Sequence, residues 1–305
     1  MTLTAALVER VVRAALEEDA PTGDLTSECL VPAEAGIEAA LVARQPGVLA
    51  GGAVFAAAFT LTDPSVLVDL EVADGAAFRA GEVLATVRGS ARSVLQAERV
   101  ALNFVQRMSG IATLTARYVE AVRGTHARVV DTRKTTPGLR AFERYAVTAG
   151  GGRNHRLSLS DAVLAKDNHL AVLAAAGRSL PDVLRAARAA LPHTVHVEVE
   201  VDRLEQIEQV LEGGADTVML DNFSLADLRA GVALVAGRAT VEASGGVDLG
   251  SVAAIAATGV DVISVGALTH SAPALDLGLD VTVRSSVAAT RVAREAVRPS
   301  DGGPA

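Results

Sequence analysis

The sequence predicts an α/β protein, in which an N-terminal α+β unit precedes a parallel sheet closed, or nearly closed, into a barrel. Two observations carry that expectation. After Gly124, six short apolar runs alternate with helical segments, as repeated strand–helix units do. From Glu200 to Asp221, Ser244 and Gly266 the steps are 21, 23 and 22 residues, close to one such unit each. Before residue 112 the pattern differs, with helical stretches set among short alternating strands and glycine turns. The expected organisation is 1–112 for the N-terminal unit, 113–297 for the barrel and 298–305 for a disordered tail.

In order, residues 3–18 predict an amphipathic helix that ends at DAPTGDLTS, where Pro21 and Gly23 break the pattern. Strands are expected near 36–44 and 66–73, around a helix near 52–61. The uncharged stretch 45–62 invites comparison with a membrane span, but Pro46, Gly47, Gly51 and Gly52 interrupt it, so a buried turn and core helix fit better. Gly75, Gly81 and Gly89 then punctuate a valine-rich run like that of the hammerhead in biotinyl and lipoyl domains. No carrier lysine is present there, so the run is structural. One long helix is expected over 95–122, with Gly110 a bend or close-packing point and Arg99 and Asn103 on one face. Barrel strands follow at 127–130, 162–165, 195–201, 216–220, 240–243 and 261–265, with helices near 137–149, 180–190, 203–212, 225–235 and 248–257. A last helix near 283–297 is placed to pack back on the N-terminal unit.

A formal net charge of -8, 3% aromatic residues and no Trp disfavour nucleic acid as a partner. The lone cysteine, Cys29, excludes an internal disulfide and reads as a small semi-buried thiol. No signal peptide is visible, since Glu9, Arg10 and Arg13 interrupt the first helix, and the chain reads as cytoplasmic with no membrane partner.

The chemistry collects between Asp131 and Leu170. Both lysines of the chain, Lys134 and Lys166, stand there, although the other 26 basic residues are all Arg. Polar residues follow successive barrel strands: Asp131 to Lys134, Lys166 to His169, Glu198 with Glu200, Asp221 with Asn222, Ser244 to Gly246, and Gly266 to Thr269. In a parallel barrel all of these open onto one face, where barrel active sites lie. Arg133, His155 and Arg156 suit planar carboxylates through charge-assisted bonds. SGG and VGALTH are glycine turns that let backbone N–H groups approach a phosphate. Glu200 and Asp221, on neighbouring strands, suit a Mg2+-bound polyphosphate or a cationic sugar carbon; the competing reading pairs them with Lys134 or Lys166. Arg140 and Arg144, one turn apart beside Glu143, read as a solvated helix face, and His126, His193 and His196 as structural. A phosphorylated sugar with Mg2+ and a multiply anionic cosubstrate would fill such a site.

The segments DTRKTTPGLR, GGGRNHRLSLSDAVLAKDNH, EVEVD, MLDN, EASGGV and VGALTHS, with GDLTS, ARQPGVLAGG and AERVALNFVQRMSGIAT before them, resemble the quinolinate phosphoribosyltransferases, the carboxylating nicotinate-nucleotide pyrophosphorylases. That resemblance implies an incomplete, open TIM-like α/β barrel with an N-terminal α+β sandwich domain. It implies homodimers, or hexamers of dimers, whose active sites are shared between subunits. The implied reaction joins quinolinate to phosphoribosyl pyrophosphate with Mg2+, giving nicotinate mononucleotide, pyrophosphate and CO2 in NAD synthesis. By position, Arg133, His155, Arg156 and Lys166 would bind quinolinate, with Arg99 reaching in from the partner subunit. Thr132, Lys134, Glu200, Asp221, Ser244, Gly245, Gly246, Val265, Gly266 and Ala267 would bind phosphoribosyl pyrophosphate. Lys134, Glu200 and Asp221 would be catalytic, and Glu200 and Asp221 would hold Mg2+, directly or indirectly. Two rivals are a paralogous phosphoribosyltransferase-like protein with another acceptor and a Schiff-base aldolase using Lys166.

Overall fold

In the computed structural model, residues 2–283 are described. The N-terminal unit comprises α1 (Ala5–Asp19), α2 (Leu25–Leu30), β1 (Gly36–Ala43), β2 (Gly47–Val48), α3 (Gly52–Thr62), β3 (Leu67–Leu70), β4 (Ala77–Phe78) and β5 (Val83–Ser90). In β1 the apolar residues Ile37, Ala39, Leu41 and Ala43 alternate inward, as a strand with one covered face requires. The uncharged stretch around 52–62 is α3, and its Val54, Phe55, Ala58 and Phe59 are fully buried rather than facing lipid. Among the described residues no helix is long and apolar enough to cross a membrane.

Next comes α4 (Ala91–Ala121), 31 residues long, so the expected division at 112/113 falls inside a continuous helix. Gly110 is a close-packing point within it. A Cβ there would come within 2.0 Å of the Pro273 carbonyl oxygen, so this glycine lets the 272–275 loop lie directly on the helix. The barrel follows with β6 (Arg128–Val130), α5 (Arg140–Ala149), β7 (Val163–Ala165), α6 (Asp167–Ala175), α7 (Leu180–Ala190), β8 (Val197–Val201), α8 (Ile207–Glu212), β9 (Thr217–Asp221), α9 (Leu225–Val235), β10 (Thr240–Ser244), α10 (Val252–Ala256), β11 (Val262–Ser264) and α11 (Ala267–His270). Its six strands are parallel in the order β6-β11-β10-β9-β8-β7. Among the described residues no ladder joins β6 to β7; beside β6 there is only an isolated bridge from Val130 to Arg153, ten residues before β7 begins. The barrel is therefore open at that point. β8 is buried along its whole length, which explains why its carboxylates face an interior and not water.

The last described element was not expected. The element that returns to the N-terminal unit is a strand, β12 (Leu277–Val283), paired antiparallel to β1 from Ile37↔Val283 to Ala43↔Leu277. It completes a four-stranded sheet in the order β12-β1-β5-β3. The expected helix near 283–297 and the tail at 298–305 lie, but for Val283, outside the described residues. Cys29, expected to be semi-buried, is exposed on α2. Polar ties link the units, among them Tyr145 Oη donating to Asp74 Oδ2 at 2.7 Å and Arg107 of α4 pairing with buried Glu143 of α5 at 2.8 Å.

Candidate active site

The carboxyl ends of the barrel strands surround a cavity of about 580 Å3. Of the residues expected there, Thr132, Arg133, Lys134, His155, Arg156, Lys166, Glu200, Asp221, Ser244, Gly245 and Gly246 line it. Four others do not. Val265 is buried behind the wall at 1% exposure, and Gly266 backs the Lys134 stem, where a Cβ would sit 3.0 Å from Cδ. Ala267 opens α11 behind it. Arg99 stands exposed on α4, away from the cavity of its own chain.

The cationic wall is built on a buried ion pair. Asp131, at the end of β6, is fully buried and meets Arg144 Nη1 at 3.2 Å. It also accepts from the His155 backbone N–H at 2.9 Å and from Asn154 Nδ2 at 2.6 Å. Arg144 in turn donates to the carbonyls of His155 and Arg156. The solvated face expected for Arg144 is thus corrected: the side chain is 4% exposed and holds the 150–156 loop in place. Arg140 is likewise partly buried, donating to Thr135 and to the Leu157 carbonyl. On this support Arg133 and Arg156 converge. Burial, and then the neighbouring Arg133 charge, depress the Arg156 guanidinium below its usual value, and Arg133 Nε is buried without a partner among the described residues. Two guanidiniums held together in this way suit a bound anion.

Across the cavity Lys166, the N-cap residue of α6, pairs with Glu200. The competing reading for Glu200 is therefore realised here. Asp221 accepts from its neighbour Asn222 at 2.6 Å. Both carboxylates also border a second, open cavity of about 1000 Å3 beside α6 and α7. Gly245 (φ 91°) could not be another residue, because a Cβ would lie 2.2 Å from Asn222 Oδ1. Gly246 has φ 60°, so the SGG turn presents backbone that no side chain covers.

One cluster was missed. His155 Nε2 lies 3.0 Å from Glu198 Oε2 and 3.6 Å from Glu242 Oε1, and both glutamates are nearly inaccessible. His155 Nδ1 accepts from the Arg156 backbone N–H at 2.7 Å, which fixes the proton on Nε2. Burial works against the His155 cation, but the Glu198 hydrogen bond and the charges of Glu242, Glu198 and Asp131 outweigh it and raise its pKa. Burial, and then the Glu198 charge, push Glu242 up to about 8. His155, expected to bind substrate, thus spends both ring nitrogens inside the protein. Glu198 was expected at a strand end but not in this cluster; strand parity could have added Glu242, which is two before Ser244 as Glu198 is two before Glu200, hence on the same faces one layer deeper.

Models of the quinolinate phosphoribosyl transferase family match the chain in two parts, the N-terminal domain over residues 24–109 and the C-terminal domain over 111–280. The chain belongs to this family. It is 46% identical over 279 residues to the nicotinate-nucleotide pyrophosphorylase (carboxylating) of Mycobacterium leprae, covering 88% of this chain and 95% of that relative. It is 44% identical over 266 residues to a probable nicotinate-nucleotide pyrophosphorylase (carboxylating) of Bacillus subtilis, covering 87% and 90%. The crystal structure of NadC from Streptococcus pyogenes superposes with a TM-score of 0.88 at 41% identity, covering 93% of this chain and 99% of that one. Family membership and the superposition agree with the open barrel and N-terminal sheet seen here.

Proposed function

We propose that this chain transfers phosphoribosyl from phosphoribosyl pyrophosphate to quinolinate, releasing pyrophosphate and CO2 and giving nicotinate mononucleotide for NAD synthesis. One observation carries this reading: Arg133, Arg156 and Lys166 line a single cavity with Glu200, Asp221 and the SGG turn. A dicarboxylate acceptor has a place on the cationic wall, and a sugar phosphate has one on the glycine turn opposite.

The chain's own groups account for the steps. Arg133, Arg156 and Lys166 clamp the acceptor so that its ring nitrogen faces the ribose carbon. As pyrophosphate leaves, positive charge grows on that carbon, and Glu200 and Asp221 oppose it electrostatically. An acceptor carboxylate competing for Lys166 frees Glu200 for that task. Once the ring nitrogen is alkylated, its charge stabilises the electron pair left when the adjacent carboxylate departs. Thr132 and Lys134 lie beside the sugar phosphate, and Ser244 to Gly246, backed by Val265 to Ala267, surround its 5-phosphate. Glu200 and Asp221 are hard oxygen donors facing the cavity, which fits Mg2+ held by one or two carboxylates and substrate phosphates; bound there, it supplies countercharge for pyrophosphate.

We further infer a homodimer, alone or within a hexamer, in which Arg99 completes the partner's acceptor site. Its exposure on α4, outside its own chain's cavity, is what a donated residue requires. A cytoplasmic location fits the reaction. The Schiff-base alternative is disfavoured because Lys166 is engaged in an ion pair, an arrangement suited to holding anions. The test is an assay for nicotinate mononucleotide with quinolinate or nicotinate as acceptor. Turnover with quinolinate and Mg2+ alone is expected; turnover with nicotinate, or with neither, would overturn the assignment.

A further inference from the structure

The steps above leave Glu242 without work, although it lies at a distinctive place. It lines the upper cavity and also a second one, of about 640 Å3, on the Arg128, Arg153 and Thr240 side of the same barrel. His155 and Arg156 line both cavities as well, so the partition between them is one side chain thick. The groups facing Glu242 are His155, Glu198 from β8 and Ser264 from β11, with Asp131 behind His155. From β9 its register partner is the uncharged Met219. Among the described residues Glu198 Oε1 and Glu242 Oε1 have no hydrogen-bond partner, and the three groups of the cluster each bring one ligand atom within 4.8 Å of the others. Two carboxylates this close and this buried cannot both stay ionised. Since His155 donates Nε2–H to Glu198, the retained proton belongs on Glu242. A divalent cation held by these three groups would have to displace both protons.

We propose that Glu242, held between the two cavities by His155 and Glu198, supplies the proton that replaces the departing carboxyl group on the pyridine ring and is recharged from the lower cavity. This rests on the decarboxylating reaction proposed above. Breakage of the carbon–carboxylate bond releases CO2 and leaves its electron pair on the ring carbon. That pair takes the proton of Glu242, so a C–H bond forms as the O–H bond breaks and Glu242 becomes a carboxylate. Solvent in the lower cavity returns one proton, matching the one proton the reaction consumes. The upper mouth, filled by two anionic substrates, need not admit water. Glu198 and His155 act as positioning residues that keep the proton on Glu242.

Glu242→Gln separates proton supply from structure, because an amide preserves the volume and can still donate to Glu198 but has no proton to give. Expected is a kcat lower by about 100-fold or more, a KM for quinolinate within about threefold of the parent, and loss of the fall in kcat above about pH 8. A wild-type kcat and an unchanged pH profile in the folded variant would overturn the proposal. Should Glu242→Gln not fold, Glu242→Asp, which keeps an acidic proton on a shorter arm, is expected to move the alkaline limb of kcat; an unmoved limb would equally overturn it. Failure of the underlying reaction shows differently, as wild-type enzyme that makes no nicotinate mononucleotide.

Discussion

Glu242 is a residue whose titration departs far from its behaviour in water. Its carboxyl group titrates near 4.5 when unfolded and at about 8 in the folded chain, because it is buried beside Glu198. Between those values the folded chain holds a proton that the unfolded chain has lost. The associated stability is full below about pH 4.5 and disappears as pH rises through about 8, at up to about 1.4 kcal/mol per pH unit for one proton. Glu242→Gln removes this contribution. Its thermal midpoint should fall less than the parent's between about pH 6 and 9, and parallel declines would contradict the buried, protonated state. At this scale the sequence was informative about residues beside glycine turns and strand ends, as with Lys134, Lys166, Asp221 and Ser244. It placed Glu198 at a strand end but gave no sign of its partnership with Glu242, because a carboxylate within an apolar run looks the same whether its strand faces water or a barrel interior.

At the scale of elements, α5 shows why a polar helix face can mislead. Arg140, Glu143 and Arg144 lie at the spacing of a solvated stripe, yet Glu143 and Arg144 are almost completely buried. Their polarity is matched by other protein groups: Glu143 binds Arg107 and Thr136, and Arg144 binds Asp131 and the 155–156 carbonyls. Arg144→Ala leaves Asp131 buried and unpaired, which should cost about 3–5 kcal/mol in urea unfolding. It should also raise the KM for quinolinate, since the loop that carries Arg156 loses its support. A loss below about 1 kcal/mol, in the range of a surface pair, would show that the helix face is solvated after all. Strands and helices within the barrel were legible because each unit repeats the same apolar period. β12 was not, because its pairing to β1 joins residues about 240 positions apart and leaves no local signature.

At the scale of the whole molecule, Arg99 stands exposed on α4 and outside the cavity of its own chain, and the shared site proposed above gives it a place in the partner's. Subunits carrying Arg99→Ala and subunits carrying Lys134→Ala should each be inactive alone. Mixed and allowed to exchange, they should recover about one quarter of the wild-type rate, since half the dimers are mixed and each has one intact site of two. Verified mixed dimers without activity would refute the shared site. By itself the sequence determined the α/β class, the six barrel strands and the family, because periodicity and motif spacing are local properties of the chain. It also determined that polar and charged residues gather at strand ends, since a parallel barrel turns all such ends to one face. Only the tertiary structure decided that Lys166 pairs with Glu200, that Arg144 is a buried support and not a surface charge, and that His155, Glu198 and Glu242 share a partition between two cavities. Those outcomes depend on how residues distant in sequence exclude water from one another, and burial of that kind sets charge, partner and protonation state together.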